Sequence, residues 1–224
     1  MSDFQITHKW CTDLVVIGRD VRSLCLSSRV FWEIQRIIGA NPRTQTHGLF
    51  NHWMATNYAT ATAIGIRRQL DPDPRSVSLA SLLSMITETI CQRPKILSRA
   101  EFIKNYRLQL RFAAEKQFDR LVGKGADRVN CSQVRRDAQK LRNDTVAVRR
   151  FANKRAAHWD RRTVPKSTLG ELDNALTLVV ELVNKYSMIL TGNHASLDVA
   201  LTPEWTEVFE VPWIPRSAQP KKGR

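Results

Sequence analysis

A chain of 224 residues with 42% apolar and 25% charged side chains can bury a substantial core, and it is neither disordered nor collagen-like in composition. Its 35 Lys and Arg against 21 Asp and Glu leave a net charge of +14, which points to a polyanionic partner, nucleic acid before acidic membrane. No stretch approaches the ~20 apolar residues of a membrane span, and the run Leu14 to Ile17 is too short for a secretory signal, so a cytoplasmic location and no membrane partner are expected.

Glycine and proline are scarce and clustered, which leaves long segments suited to helices. The first is expected over residues 6–38, where Trp10, Leu14, Ile17, Val21, Leu24, Phe31, Ile34 and Ile38 recur at helical spacing. Gly39-Ala40-Asn41-Pro42 ends it. A second helix is expected over 49–70. Its middle is rich in Ala, Thr and Gly, which lets another backbone come close, and Asp71-Pro72-Asp73-Pro74 breaks it. Ser76 or Ser78 can cap a third helix carrying Leu79, Leu82, Leu83 and Ile86, which Pro94 stops. Ser98 and Glu101 read as a capping box opening a helix to about Val122. After Gly123-Lys124-Gly125 a helical pattern runs from about Ser132 to Arg161, with a bend near Asn143-Asp144. Thr168 and Glu171 form a second capping-box pattern for a helix through Leu190, ended by Gly192. Beyond it lies an expected extended strap packed by aromatics, then a disordered basic tail over 216–224. The fold class is all-α, a bundle of about six helices in one domain over 1–215.

The charge is concentrated. Residues 99–166 hold 19 basic and 7 acidic side chains, whereas residues 167–224 hold 5 and 7. The four cysteines make no CxxC and read as reduced core thiols. His8 and Cys11 are two potential ligands without a third, and His47 and His52 do not share a helical face, so no metal and no cofactor is expected.

Two segments carry chemistry. In the segment from Arg149 to Asp160, Val148, Phe151, Ala152, Ala156 and Trp159 form an apolar stripe with His158 at its edge. Arg150 and Lys154 precede His158 on its own side and Arg162 follows, so His158 is expected to be neutral at pH 7, a base beside phosphate-holding cations. The bland reading is a histidine bonded to a neighbouring helix. The second segment is Ile66-Arg67-Arg68-Gln69-Leu70-Asp71. Arg67 and Asp71 can pair along the helix, or Arg67 or Arg68 can turn inward to meet another polar cluster.

The apolar first helix with Trp10, the segment from Tyr58 to Asp71, Ser78-Leu79 to Leu83, and Asn153-Lys154-Arg155-Ala156-Ala157-His158-Trp159-Asp160 together resemble the AbiU-type, abortive-infection branch of the HEPN superfamily over residues 8–190. The resemblance implies an up-and-down four-helix core, frequent pairing of two copies as a homodimer, and metal-independent ribonuclease chemistry in toxin–antitoxin or antiphage systems. Its signature is an Arg, commonly followed by a polar residue, then four to six residues and a His. His158 matches the histidine and Asn153 the polar residue. Ala152 stands where the signature has Arg, so the cation must come from Arg150, Lys154, Arg67 or Arg68. The resemblance thus nominates His158, Lys154, Arg150 and Asn153 as catalytic, and Arg67, Arg68, Asp71, Arg149, Arg155, Asp160, Arg161 and Arg162 as RNA-binding. Two functions stay open: a protein that binds or cleaves RNA, with an antitoxin as a possible partner, or a non-enzymatic module whose basic face docks an acidic protein.

Overall fold

The computed structural model describes residues 2–45, 48–153 and 167–211, with residue 43 described by its backbone alone. Within them the chain is built of helices. α1 (Asp3–Ala40) is followed by the short α2 (Pro42–Gln45), α3 (Gly48–Gln69), α4 (Leu79–Gln92), α5 (Arg99–Lys104), α6 (Arg111–Val122), α7 (Cys131–Asp144), α8 (Val146–Phe151) and α9 (Leu169–Thr191). The only β pairing among the described residues is one isolated bridge between Ser98 and Arg128. No described helix is long and apolar enough to cross a membrane.

The helix ends follow their cap chemistry. Ser2 and Gln5 satisfy each other's backbone at the start of α1, and Thr168 and Glu171 do so at α9, each pair covering two orphan N–H groups. Ser78, rather than Ser76, caps α4 by accepting from the Ser81 N–H. Gly192 ends α9 at φ 73, in the left-handed region. The Tyr106 hydroxyl donates to the Gly192 carbonyl at 2.9 Å, and a Cβ at Gly192 would lie 3.1 Å from that hydroxyl.

Two expected long helices are broken. The stretch 98–122 is interrupted after Lys104 and resumes at Arg111 through a 3-10 turn. Tyr106 packs against Phe102 and anchors on the end of α9, which a continuous helix would not permit. Ser98 caps α5, but Glu101 pairs with Lys104 at 2.5 Å instead of completing the box. The stretch from 132 bends where expected, at Thr145, which separates α7 from α8 and whose hydroxyl donates to the Leu141 carbonyl at 2.6 Å. The strap is part helix: 193–202 is irregular, and Pro203–Phe209 is a 3-10 segment with Trp205 edge-on to Phe209.

The stripe on α1 buries Trp10, Leu14, Ile17, Val21, Leu24 and Phe31. The larger core lies where α1 meets α4, α5, α6, α7 and α9. A smaller one collects Leu24, Ala63, Ile66, Val148, Ala152, Leu172, Ala175 and Leu176 from α1, α3, α8 and α9. Of the thiols, Cys11, Cys25 and Cys131 are half-buried and Cys91 is exposed, so none is a fully enclosed core group.

Candidate functional site

The smaller core positions the site. Ala63 and Gly65 of α3 and Ala152 after α8 are small, and α3 and α8 pack against each other and against α9. Gly65 faces α1 so closely that a Cβ there would sit 2.4 Å from Leu24 Cδ2. Val148 of α8 and Ala152, the residue after its last turn, face the same core and are almost fully buried. Residues 152–153 adopt π-helical hydrogen bonding, a wider turn often found at functional sites. With the small faces packed inward, the last turn of α3 and the end of α8 present their polar residues side by side.

That juxtaposition joins the two sequence segments. Arg67 Nε donates to Asn153 Oδ1 across 86 residues of sequence. Arg68 turns the other way and pairs with Asp20 of α1 at 3.1 Å. Gln69, fully buried, donates to the same Asp20 carboxylate at 3.1 Å and accepts the Leu79 N–H at 3.3 Å, fixing the end of α3 to the start of α4. Arg67 and Asp71 make no ion pair. Asp71 instead accepts from the Asp73 N–H and the Ser76 hydroxyl, and its carbonyl accepts from Ser78, so it organises the turn between α3 and α4.

Arg67, Arg68, Asp71, Arg149 and Asn153 line one cavity of about 520 Å³. Arg149 is half-buried and has no ion-pair partner among the described residues; Arg150 is exposed and outside that lining. Of the three guanidinium groups in its lining, Arg68 is paired with Asp20, which leaves Arg67 and Arg149 beside one carboxylate that already serves neutral donors. Such a set favours an oxyanion of phosphate size, and a guanidinium presents its donors in a fork matched to one. Lys154, Arg155, His158, Asp160, Arg161 and Arg162 lie outside the described residues.

Ala152 accounts for the departure from the HEPN signature. The position where that signature carries Arg is fully buried here, among Leu24, Ala63, Ile66 and Leu172. A cation there would face apolar side chains. The guanidinium that reaches Asn153 arrives from α3 instead. Sequence reasoning did not find Asp20, whose role depends on a contact 48 residues away in the chain, nor the half-buried setting of Arg149.

No curated protein and no solved structure matches this chain. The family model described as AbiU2, a HEPN family, matches residues 21–207, from the second half of α1 to the 3-10 segment after α9. That span contains both arms of the Arg67–Asn153 contact and every helix among the described residues but the first half of α1, and it covers most of the sequence: the chain is a member of the AbiU2 family of HEPN domains.

Proposed function

We propose that the protein binds RNA through the cavity between α3 and α8 and cleaves it without a metal ion, as a defence protein of the toxin–antitoxin or antiphage kind. The observation that carries this reading is the Arg67–Asn153 hydrogen bond, which supplies a guanidinium beside the signature asparagine although Ala152 does not. In this reading Asn153 orients Arg67, and Arg67 with Arg149 holds the scissile phosphate and stabilises the charge that grows on it. His158, five residues after Asn153 in sequence, takes the proton of the ribose 2′-hydroxyl. The 2′-oxygen bonds to phosphorus, the bond from phosphorus to the 5′-oxygen breaks, and that oxygen takes a proton from solvent, to which His158 then returns the one it accepted. The working form is a pair of copies, with an antitoxin as its regulator.

The test uses the full chain, single-stranded RNA and EDTA. His158→Ala should lose cleavage by on the order of 10²–10⁴-fold and keep RNA affinity. Arg67→Gln should weaken both, because Arg67 is exposed and its loss leaves the core untouched. Parental cleavage and binding by Arg67→Gln would remove the observation on which the reading stands. Sedimentation at micromolar protein reports the pairing.

A further inference from the structure

A second cavity, of about 810 Å³, runs between α4 and α7. Leu70, Pro72 and Arg149 line both it and the cavity at Asn153, so the two form one groove. Its new cations are Arg135 and Arg142, which with Arg149 stand seven residues apart in sequence. Seven residues are almost two helical turns, so the three share one side of α7 and α8 at intervals of about 10.5 Å. The bend at Thr145 does not separate them, since all three line the same cavity.

These arginines are uncompensated. Among the described residues neither Arg142 nor Arg149 has an ion-pair partner, and Arg135 donates only to the Cys91 thiol at 3.5 Å. The one carboxylate lining this part, Glu88, accepts from the Ser84 hydroxyl. Of the two carboxylates of α7, Asp137 is held by Lys185 and Tyr186 of α9, and Asp144, in its last turn, is not among the residues that line the cavity. The carboxylate at the middle of α7 thus serves packing, while Arg135 and Arg142 stay exposed.

We infer that the groove between α4 and α7 is a track for single-stranded RNA, with Arg135, Arg142 and Arg149 taking successive stretches of backbone and delivering the strand to Arg67 and Asn153. The inference rests on the RNA reading of that cavity and extends it to Arg135 and Arg142, which do not line it. A polyanion of regular charge fits a regular row of guanidinium forks better than an acidic protein surface does. A single strand fits better than a duplex, because the groove lies between two packed helices whose axes are about 8–10 Å apart. Its lining includes Leu70, Pro72 and Ala80, apolar surface against which a base can rest.

The experiment titrates fluorescent oligo-U and oligo-A of about twelve nucleotides against the parent, Arg135→Gln, Arg142→Gln, the double variant and Lys116→Gln, at several salt concentrations. Lys116 is an exposed cation on α6, outside the groove, and controls for net charge. Each groove arginine removed should lower the slope of log K against log salt by about 0.7, and weaken both sequences equally. Lys116→Gln should change neither. An unchanged slope in the double variant, with Arg67→Gln still weakened, overturns the track and leaves the site at Asn153 standing. Failure of the parent to bind either RNA at 50 mM salt or less brings down both readings. Equal competition by polyglutamate of matched charge, or equal binding of duplex RNA with the same arginine dependence, also overturns it. Helical circular dichroism matching the parent shows that each variant is folded.

Discussion

At the scale of single residues, the decisive position is Ala152. Its side chain is fully enclosed by aliphatic neighbours from α1, α3 and α9, and its main-chain neighbour Asn153 is exposed and bonded to Arg67. A one-residue step along α8 therefore crosses from core to site. Restoring the signature by Ala152→Arg puts a long cation into a space filled by Leu24, Ala63, Ile66 and Leu172. The expected outcome is a loss of several kcal/mol of stability and no gain in RNA cleavage, because desolvating the guanidinium costs more than the contact returns. Urea unfolding and an EDTA cleavage assay measure the two sides. A folded, faster variant would show that the site takes its arginine from α8 after all.

At the scale of elements, close packing of α3 on α1 sets where Arg67 ends up. Gly65 is the contact point, with Leu24 Cδ2 where a Cβ would be. Gly65→Ala gains about 1 kcal/mol of helix propensity but must displace Leu24, which is 92% buried in the smaller core. Overpacking of this kind costs ~1–3 kcal/mol, so the net expectation is destabilisation by about 1 kcal/mol. Denaturant midpoints for Gly65→Ala, Leu24→Ala and the double variant measure it: the double variant should be more stable than the sum of the singles predicts, since Leu24→Ala vacates the space. Additive midpoints would show that the two helices do not press on each other there.

Much of this element scale was legible in the sequence. The apolar stripe of α1, the small-residue centre of α3, the cap at Thr168 and the stop at Gly192 all act locally, through periodicity or backbone chemistry, and each appears where the residues put it. The interruption between α5 and α6 was not legible, because Tyr106 leaves the helix to reach Gly192, 86 residues away. The site divides in the same manner. The sequence nominated Arg67 and Asn153 separately and raised an inward-turned arginine, but the alternative Arg67–Asp71 pair was equally compatible with spacing. Asp71 was withdrawn from that pair by Ser76, Ser78 and the Asp73 N–H, a turn geometry that helical spacing does not encode.

At the scale of the whole molecule, stability depends on how the basic segment is tied to α9. Asp137 of α7 accepts from Lys185 Nζ at 2.6 Å and from the Tyr186 hydroxyl at 2.8 Å. Tyr186 is fully buried, and burial together with the adjacent Asp137 charge holds its phenol far above the ordinary tyrosine value. The folded protein keeps that proton in alkali where the unfolded chain gives it up. Unfolding then releases a proton, so stability falls as pH rises. The contribution is complete below about pH 10, the value in the unfolded chain, and shrinks by roughly 1.4 kcal/mol per pH unit above it. Tyr186→Phe cannot ionise and lacks this loss, but it forfeits the hydrogen bond to Asp137, worth about 1–2 kcal/mol. The parent should therefore be the more stable protein at pH 7–9, and the difference should close and reverse between about pH 10 and 12. Burial also raises Tyr58 and Tyr106, but both proteins keep these residues, so their share cancels in the comparison. Urea midpoints at pH 8, 9, 10 and 11 decide it. A difference that stays constant across that range would mean that the phenol is solvated or that the joint between α7 and α9 opens before the tyrosine titrates, and the buried Tyr186–Asp137 bond would not be what fastens the arginine-rich helix to the bundle.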